Sequence, residues 1–200
     1  VQSNPFSTFK CRTPKTRKTL WTREQVKQFL DYAYSNFKTR NLGLIVQMAY
    51  EWCQRIGDMR LLKFEYIDFD NGILHLEQSK RRATVHLPIS DELLSMLVQQ
   101  KEDYGFQEYV APMPKAIRGA YKPYSLHGIS KLGRVAMSSA GLPNELRLAD
   151  LRRTGTTEMV EAGVSMGQIM SVTGHANPNS VMPYMKNTYL SAKKALTTRE

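Results

Sequence analysis

The sequence has no uninterrupted apolar run near the ~18 residues that a transmembrane helix requires, and its basic, polar N-terminus has no apolar signal-peptide core. Membrane spanning and secretion are therefore disfavoured. Cysteine is scarce: Cys11 and Cys53 form neither a CxxC pattern nor a dense disulfide framework, so a reducing compartment is expected and a structural zinc is not. A P-loop and an HExxH motif are missing, and the carboxylates do not form the converging set that two magnesium ions need. That counts against a metal-dependent nuclease or transposase. Acidic residues are also in deficit, with 18 Asp and Glu against 28 Lys and Arg for a net charge of +10.

What is present is a chain of 200 residues, 42% hydrophobic and 10% aromatic, enough for one folded domain with or without a tail. Its basic surface suits a polyanion: nucleic acid first, an acidic membrane surface second. The excess is uneven. Lys10, Arg12, Lys15, Arg17, Lys18 and Arg23 precede the first acidic residue. This stretch reads equally as a phosphate-binding linker or as a solvated tail. The sequence opens at Val1 rather than at methionine, which reads as a fragment or processed product with an upstream domain missing.

Apolar periodicity and capping residues predict a mainly helical chain interrupted by a small sheet. Thr22 and Gln25 form a capping box ahead of a helix whose apolar face is Val26, Phe29, Leu30, Ala33 and Phe37. A second helix carries Leu42, Ile45, Val46, Ala49 and Cys53, and Gly57 reads as the break after it. Tyr66 to Phe69, Ile73 to Gln78 and Thr84 to Pro88 read as three strands, the first two joined across Asp70-Asn71-Gly72. Ser79-Lys80-Arg81-Arg82 forms a basic tip between the last two. Further helices follow Ser90, Ser125, Asp150 and Ser165, with glycine stops at Gly105, Gly141, Gly163 and Gly174. A proline-rich loop spans Ala111 to Pro123. The last segment, from Asn177-Pro178 to Tyr189, has Pro183 inside it, so its first turn is late or kinked.

Four polar features stand out against this layout: Arg55 at a helix end, Lys80 on the hairpin tip, Asp150-Leu151-Arg152-Arg153, and Gly174-His175 followed by Tyr184. Taken singly, a lone arginine is a surface cation and a terminal tyrosine is packing. In this order and spacing they resemble the tyrosine recombinase (phage integrase) family, from about Leu42 to Tyr189. The segments carrying the likeness are Gln54-Arg55-Ile56-Gly57-Asp58, Gln78-Ser79-Lys80-Arg81, and the run from Val164 through Gly174-His175 to Tyr184. One departure occurs at Ala149, where the family usually has histidine three residues before its second arginine. Three accounts fit it: natural variation, a substitution made to trap a state, or lost activity.

The resemblance implies an α+β, mainly helical catalytic domain with a small three-stranded antiparallel sheet. Residues 1–23 would be a basic interdomain linker and 24–200 the catalytic domain with its C-terminal tail. It implies a site-specific DNA recombinase, an integrase of a mobile element acting through a 3′-phosphotyrosyl intermediate, or else an impaired, DNA-binding relative. Arg55 and Arg152 would clamp the scissile phosphate, Lys80 protonate the leaving oxygen, His175 hydrogen-bond the phosphate and Tyr184 attack, with Tyr189 as its rival. Asp58 and Asp150 would orient the arginines or sit at helix ends. Lys15, Arg17, Lys18, Arg81 and Arg82 would hold DNA. No metal or other cofactor is implied. The expected partner is double-stranded DNA, with a homotetramer on DNA, a monomer alone, Lys193 and Lys194 in a tail that docks on a neighbour, and a cytoplasmic location.

Overall fold

The structure, a computed structural model, describes residues 18–80, 82–185 and 196–197. The first helix, α1 (Arg23–Tyr34), starts where its capping box requires: Thr22 accepts from the backbone of Gln25, whose side chain accepts from Thr22 N. Phe37 does not share its face. Asn36 adopts an extended conformation and caps a new helix, α2 (Phe37–Glu51), leaving Phe37 64% exposed. The packing also reaches back into the stretch assigned to the linker, since Trp21 is buried against Phe29.

Helix α2 is the centre of the core, with every residue from Asn41 to Ala49 buried, and α1 and two later helices, Leu126–Ser139 and Leu151–Glu161, pack around it. It ends before Cys53, which takes a left-handed backbone (φ 51°). The chain break therefore falls at Cys53 and not at Gly57, which lies inside the short helix α3 (Ile56–Met59). The three antiparallel strands are β1 (Ile67–Asp68), β2 (Ile73–Glu77) and β3 (Thr84–Pro88), in that order. β1 is shorter than the sequence pattern indicates because Phe64–Tyr66 forms a 3₁₀ turn. The register pairs Leu74 with Leu87 and Leu76 with Val85, so these four face the core while His75 pairs with His86 on the exposed face. That alternation is the period of two expected for a half-buried sheet.

The remaining helices are α4 (Asp91–Tyr104), α5 (Leu126–Ser139), α6 (Leu151–Glu161) and α7 (Met166–Thr173). Ser90, Ser125 and Ser165 cap α4, α5 and α7 through their side chains. The glycines after α5, α6 and α7 all have positive φ, which a side chain would disfavour. Gly105 after α4 does not, and its φ is −65°. Beyond Asn177 there is no helix up to Met185 but two single 3₁₀ turns, Pro178–Ser180 and Met182–Tyr184. Pro183 removes the N–H that a longer helix would need. Among the described residues, no helix is long and apolar enough to cross a membrane, and no group of three His, Cys, Asp or Glu is placed to hold a metal.

Candidate active site

The break after α2 sets the first functional side chain. Gln54 N donates to Ala49 O (3.0 Å), turning the chain so that Arg55 stands extended at the start of α3, where its carbonyl accepts from Asp58 and Met59. From there its guanidinium points inward. Nη1 donates to Gln78 Oε1 (3.0 Å) and lies 3.6 Å from Asp58 Oδ2. Asp58 is buried, and its other oxygen accepts from Ser79 N (3.2 Å) and from the Ser79 hydroxyl. One carboxylate thus ties the first arginine to the root of the hairpin tip.

Arg152 lies in the first turn of α6 and is buried. Its Nη2 donates to Thr173 O (2.6 Å), its Nη1 lies 3.4 Å from Gln54 Oε1, and His175 Nε2 is 3.4 Å from Nη2. Burial, and after it the repulsion of Arg55, lowers Arg152 to about 10, so it remains a cation at neutral pH. Gly174 (φ 67°) reverses the chain after α7 and delivers His175 to this pair. A side chain at Gly174 would also collide with the Gln78 amide, 2.7 Å from where its Cβ would sit.

The imidazole has a defined tautomer. Thr173 Oγ1 spends its one proton on Ile169 O (2.7 Å), so at its 2.7 Å contact with His175 Nδ1 it must accept. Nδ1 therefore carries hydrogen, and Nε2 faces Arg152. The Tyr184 ring lies 6.2 Å from the His175 ring, centroid to centroid. It is half-buried at the end of the last 3₁₀ turn, with its N–H donated to Val181 O.

Arg55, Arg152, His175 and Tyr184 line one cleft of about 590 Å³, and Ala149 lines it too. Arg134 and Arg147 also line the wall, which among the described residues has four guanidiniums and no acidic side chain and so suits a phosphodiester. Lys80 is not in the lining. It is exposed on the hairpin tip, immediately after the Asp58-bound Ser79. Lys18 and Arg82 are exposed, and Arg82 takes a left-handed backbone (φ 50°) in closing the tip. Asp150 is buried at the start of α6. Lys15, Arg17, Arg81, Tyr189, Lys193 and Lys194 lie outside the described residues.

Sequence reasoning quoted Gln54 and Gln78 as neighbours of the motif residues but gave them no role, and it passed over Thr173, Arg134 and Arg147. Only Gln54 and Gln78 carried a signal, their positions directly before Arg55 and just before Lys80.

The Phage integrase family matches residues 20–190, and the chain belongs to that family. It is 24% identical over 151 residues to the shufflon-specific DNA recombinase of Escherichia coli, covering 74% of this chain and 36% of that protein. It is 28% identical over 199 residues to the tyrosine recombinase XerA of Pyrococcus furiosus, covering 92% and 64%. The chain therefore spans between about a third and two thirds of these two relatives. Among solved structures, the XerA recombinase superposes with a TM-score of 0.72 at 16% identity, covering 94% of this chain and 66% of that one. A lambda integrase dimer bound to a COC′ core site superposes with a TM-score of 0.69 at 23% identity, covering 88% and 50%. These likenesses show that the fold is that of tyrosine recombinase catalytic domains.

Proposed function

We propose that the chain is the catalytic domain of a site-specific DNA recombinase that integrates or excises a mobile element through a 3′-phosphotyrosyl intermediate. The observation that carries this reading is the convergence of Arg55, Arg152, His175 and Tyr184 on one cleft whose wall, among the described residues, holds no carboxylate. Attack by Tyr184 on a phosphodiester builds negative charge on the non-bridging oxygens, and two guanidiniums fixed in advance stabilise it. His175, with Nδ1–H held by Thr173, donates to the phosphate through Nε2 when protonated. Lys80 reaches the leaving 5′-oxygen from the hairpin tip and gives it a proton. The phosphotyrosyl bond replaces the phosphodiester bond, so rejoining needs neither ATP nor a metal.

Lys18, Arg82, Lys15, Arg17 and Arg81 hold the DNA backbone in this reading, residues 1–23 lead in as a linker, and the working form on DNA is a homotetramer assembled from monomers in the cytoplasm. The experiment is a denaturing-gel trap with labelled DNA of the source element, nicked to prevent religation. A covalent adduct retained by Tyr189→Phe and lost in Tyr184→Phe is the expected result. An adduct retained by Tyr184→Phe refutes the assignment of the nucleophile.

A second reading, a DNA-binding relative with impaired chemistry, is favoured by Ala149. Its exposed methyl lines the cleft and can neither give nor take a proton. Salt-sensitive DNA binding with no adduct from any version would select it.

A further inference from the structure

Gln54 and Gln78 are both fully buried, and every hydrogen of their two amides is used. Gln54 Nε2 donates to Trp52 O (2.8 Å) and Val172 O (2.8 Å). Gln78 Nε2 donates to Gln54 Oε1 (2.7 Å) and Thr173 O (2.8 Å). The two carbonyl oxygens then face the guanidiniums: Gln78 Oε1 accepts from Arg55 Nη1 (3.0 Å), and Gln54 Oε1 lies 3.4 Å from Arg152 Nη1. Neither amide can flip. Reversal would set its NH₂ against a guanidinium and its oxygen against a backbone carbonyl. A continuous path therefore runs from Arg55 through Gln78 and Gln54 to Arg152, joining the α2–α3 break, the end of the hairpin strand and the first turn of α6.

We infer that the Gln54–Gln78 amide bridge is a positioning device that fixes the separation of the two phosphate-binding guanidiniums before DNA arrives. The inference rests on the recombinase reading for its consequence and on the hydrogen bonds alone for its geometry. Two cations close enough to repel would splay if nothing joined them, and that repulsion already helps lower Arg152. Neutral amide oxygens hold them together without cancelling their charge. A carboxylate in the same place would neutralise what the phosphate needs. Asp58 cannot replace the bridge, since its ion pair is with Arg55, at 3.6 Å, and it acts on Arg152 only through its charge. Losing the bridge leaves Arg55 on Asp58 and Arg152 on Thr173 O with nothing joining the two, and a displacement of about an ångström can cost roughly 10²-fold in rate.

The test uses Gln54→Met, Gln78→Met and the double variant, which keep length and volume and remove the amide. Adduct formation is timed on two nicked substrates, one with the ordinary scissile phosphate and one with a methylphosphonate there, which carries no charge for a clamp to neutralise. Each single variant is expected to lose roughly 10- to 100-fold on the ordinary phosphate and only a few-fold on the methylphosphonate. The double variant is expected to lose no more than the worse single one. An unfolded fraction lowers both rates equally, so a merely structural role leaves their ratio unchanged. Equal losses on the two substrates, or no loss on either, overturn the inference.

A second readout needs no catalysis. Inorganic phosphate is titrated against the Nε–H NMR signals of Arg55 and Arg152, and each variant is expected to bind it roughly threefold or more weakly. Unchanged phosphate affinity overturns the positioning role. If the unmodified protein forms no adduct, the recombinase reading fails, and the phosphate titration alone decides whether the bridge positions the arginines.

Discussion

Replacing Arg152 by lysine keeps a cation on paper and removes it at a foreseeable pH. Arg152 is only 8% exposed and shares its neighbourhood with Arg55, two influences that disfavour charge and bring the guanidinium down to about 10. A lysine starts from an ordinary value of ~10.4, and the same surroundings would bring it to roughly 8. Because both influences oppose the charged form, the ammonium persists below that pH and is lost above it. Below about pH 7, Arg152→Lys is expected to cleave roughly 10²–10³-fold more slowly than the unmodified protein, because one nitrogen replaces a fork that reaches Thr173 O and the Gln54 amide oxygen. Above about pH 8 the deficit should grow tenfold per pH unit. Cleavage at subsaturating DNA reports the free protein's ionisation, and dividing by the unmodified rate at each pH cancels titrations common to both. A ratio flat from about pH 6.5 to 9 would refute the account of how burial and Arg55 act on this site.

Three further outcomes follow from the same geometry. Ala149→His restores a proton-transfer group to a wall of the cleft and is expected to raise the single-turnover cleavage rate by up to roughly 10²-fold, and an unchanged or lower rate counts against it. Arg134→Ala should weaken DNA binding regardless of sequence and shallow the slope of log affinity against log salt by about one, as measured by fluorescence anisotropy across salt concentrations. Gly155→Ala places a Cβ 2.5 Å from Cys53 Sγ and 3.1 Å from Tyr50 O, so denaturant unfolding should show a loss of about 1–3 kcal/mol, partly recovered by Cys53→Ala.

The helices were readable where a side chain acts on its own neighbourhood. Thr22 with Gln25, Ser165 with Gln168, Ser90 and Ser125 bond to backbone three residues away, and Gly141, Gly163 and Gly174 mark helix ends because only local backbone geometry is at stake. The sheet's alternation was legible for the same reason. The break after α2 was misplaced because Cys53 adopts positive φ under tertiary constraint: it is wedged against Gly155 of α6, far along the chain, while Gly57 needs no such freedom. Phe37 reads as core by spacing, yet Asn36 begins a new helix beneath it. In the site, the order and spacing that carry the family resemblance pointed to Arg55, Arg152, His175 and Tyr184, and the fold brings these four to one cleft. The glutamines that align them were opaque, since a buried glutamine looks like a surface one until its partners 24, 95 and 118 residues away are brought to it.

Trp21 gives the chain ahead of it a mechanical purchase on the cleft that Arg152 lines. Its backbone N–H is held by Thr154 Oγ1 (3.0 Å), two positions beyond Arg152 on α6, and its indole N–H by the carbonyl of Arg147 (3.0 Å), a residue of the cleft wall. A pull on the residues before Trp21 is therefore delivered to both sides of Ala149. The indole is a rivet through which tension in the incoming chain bears on the segment from Arg147 to Thr154, which carries Arg152.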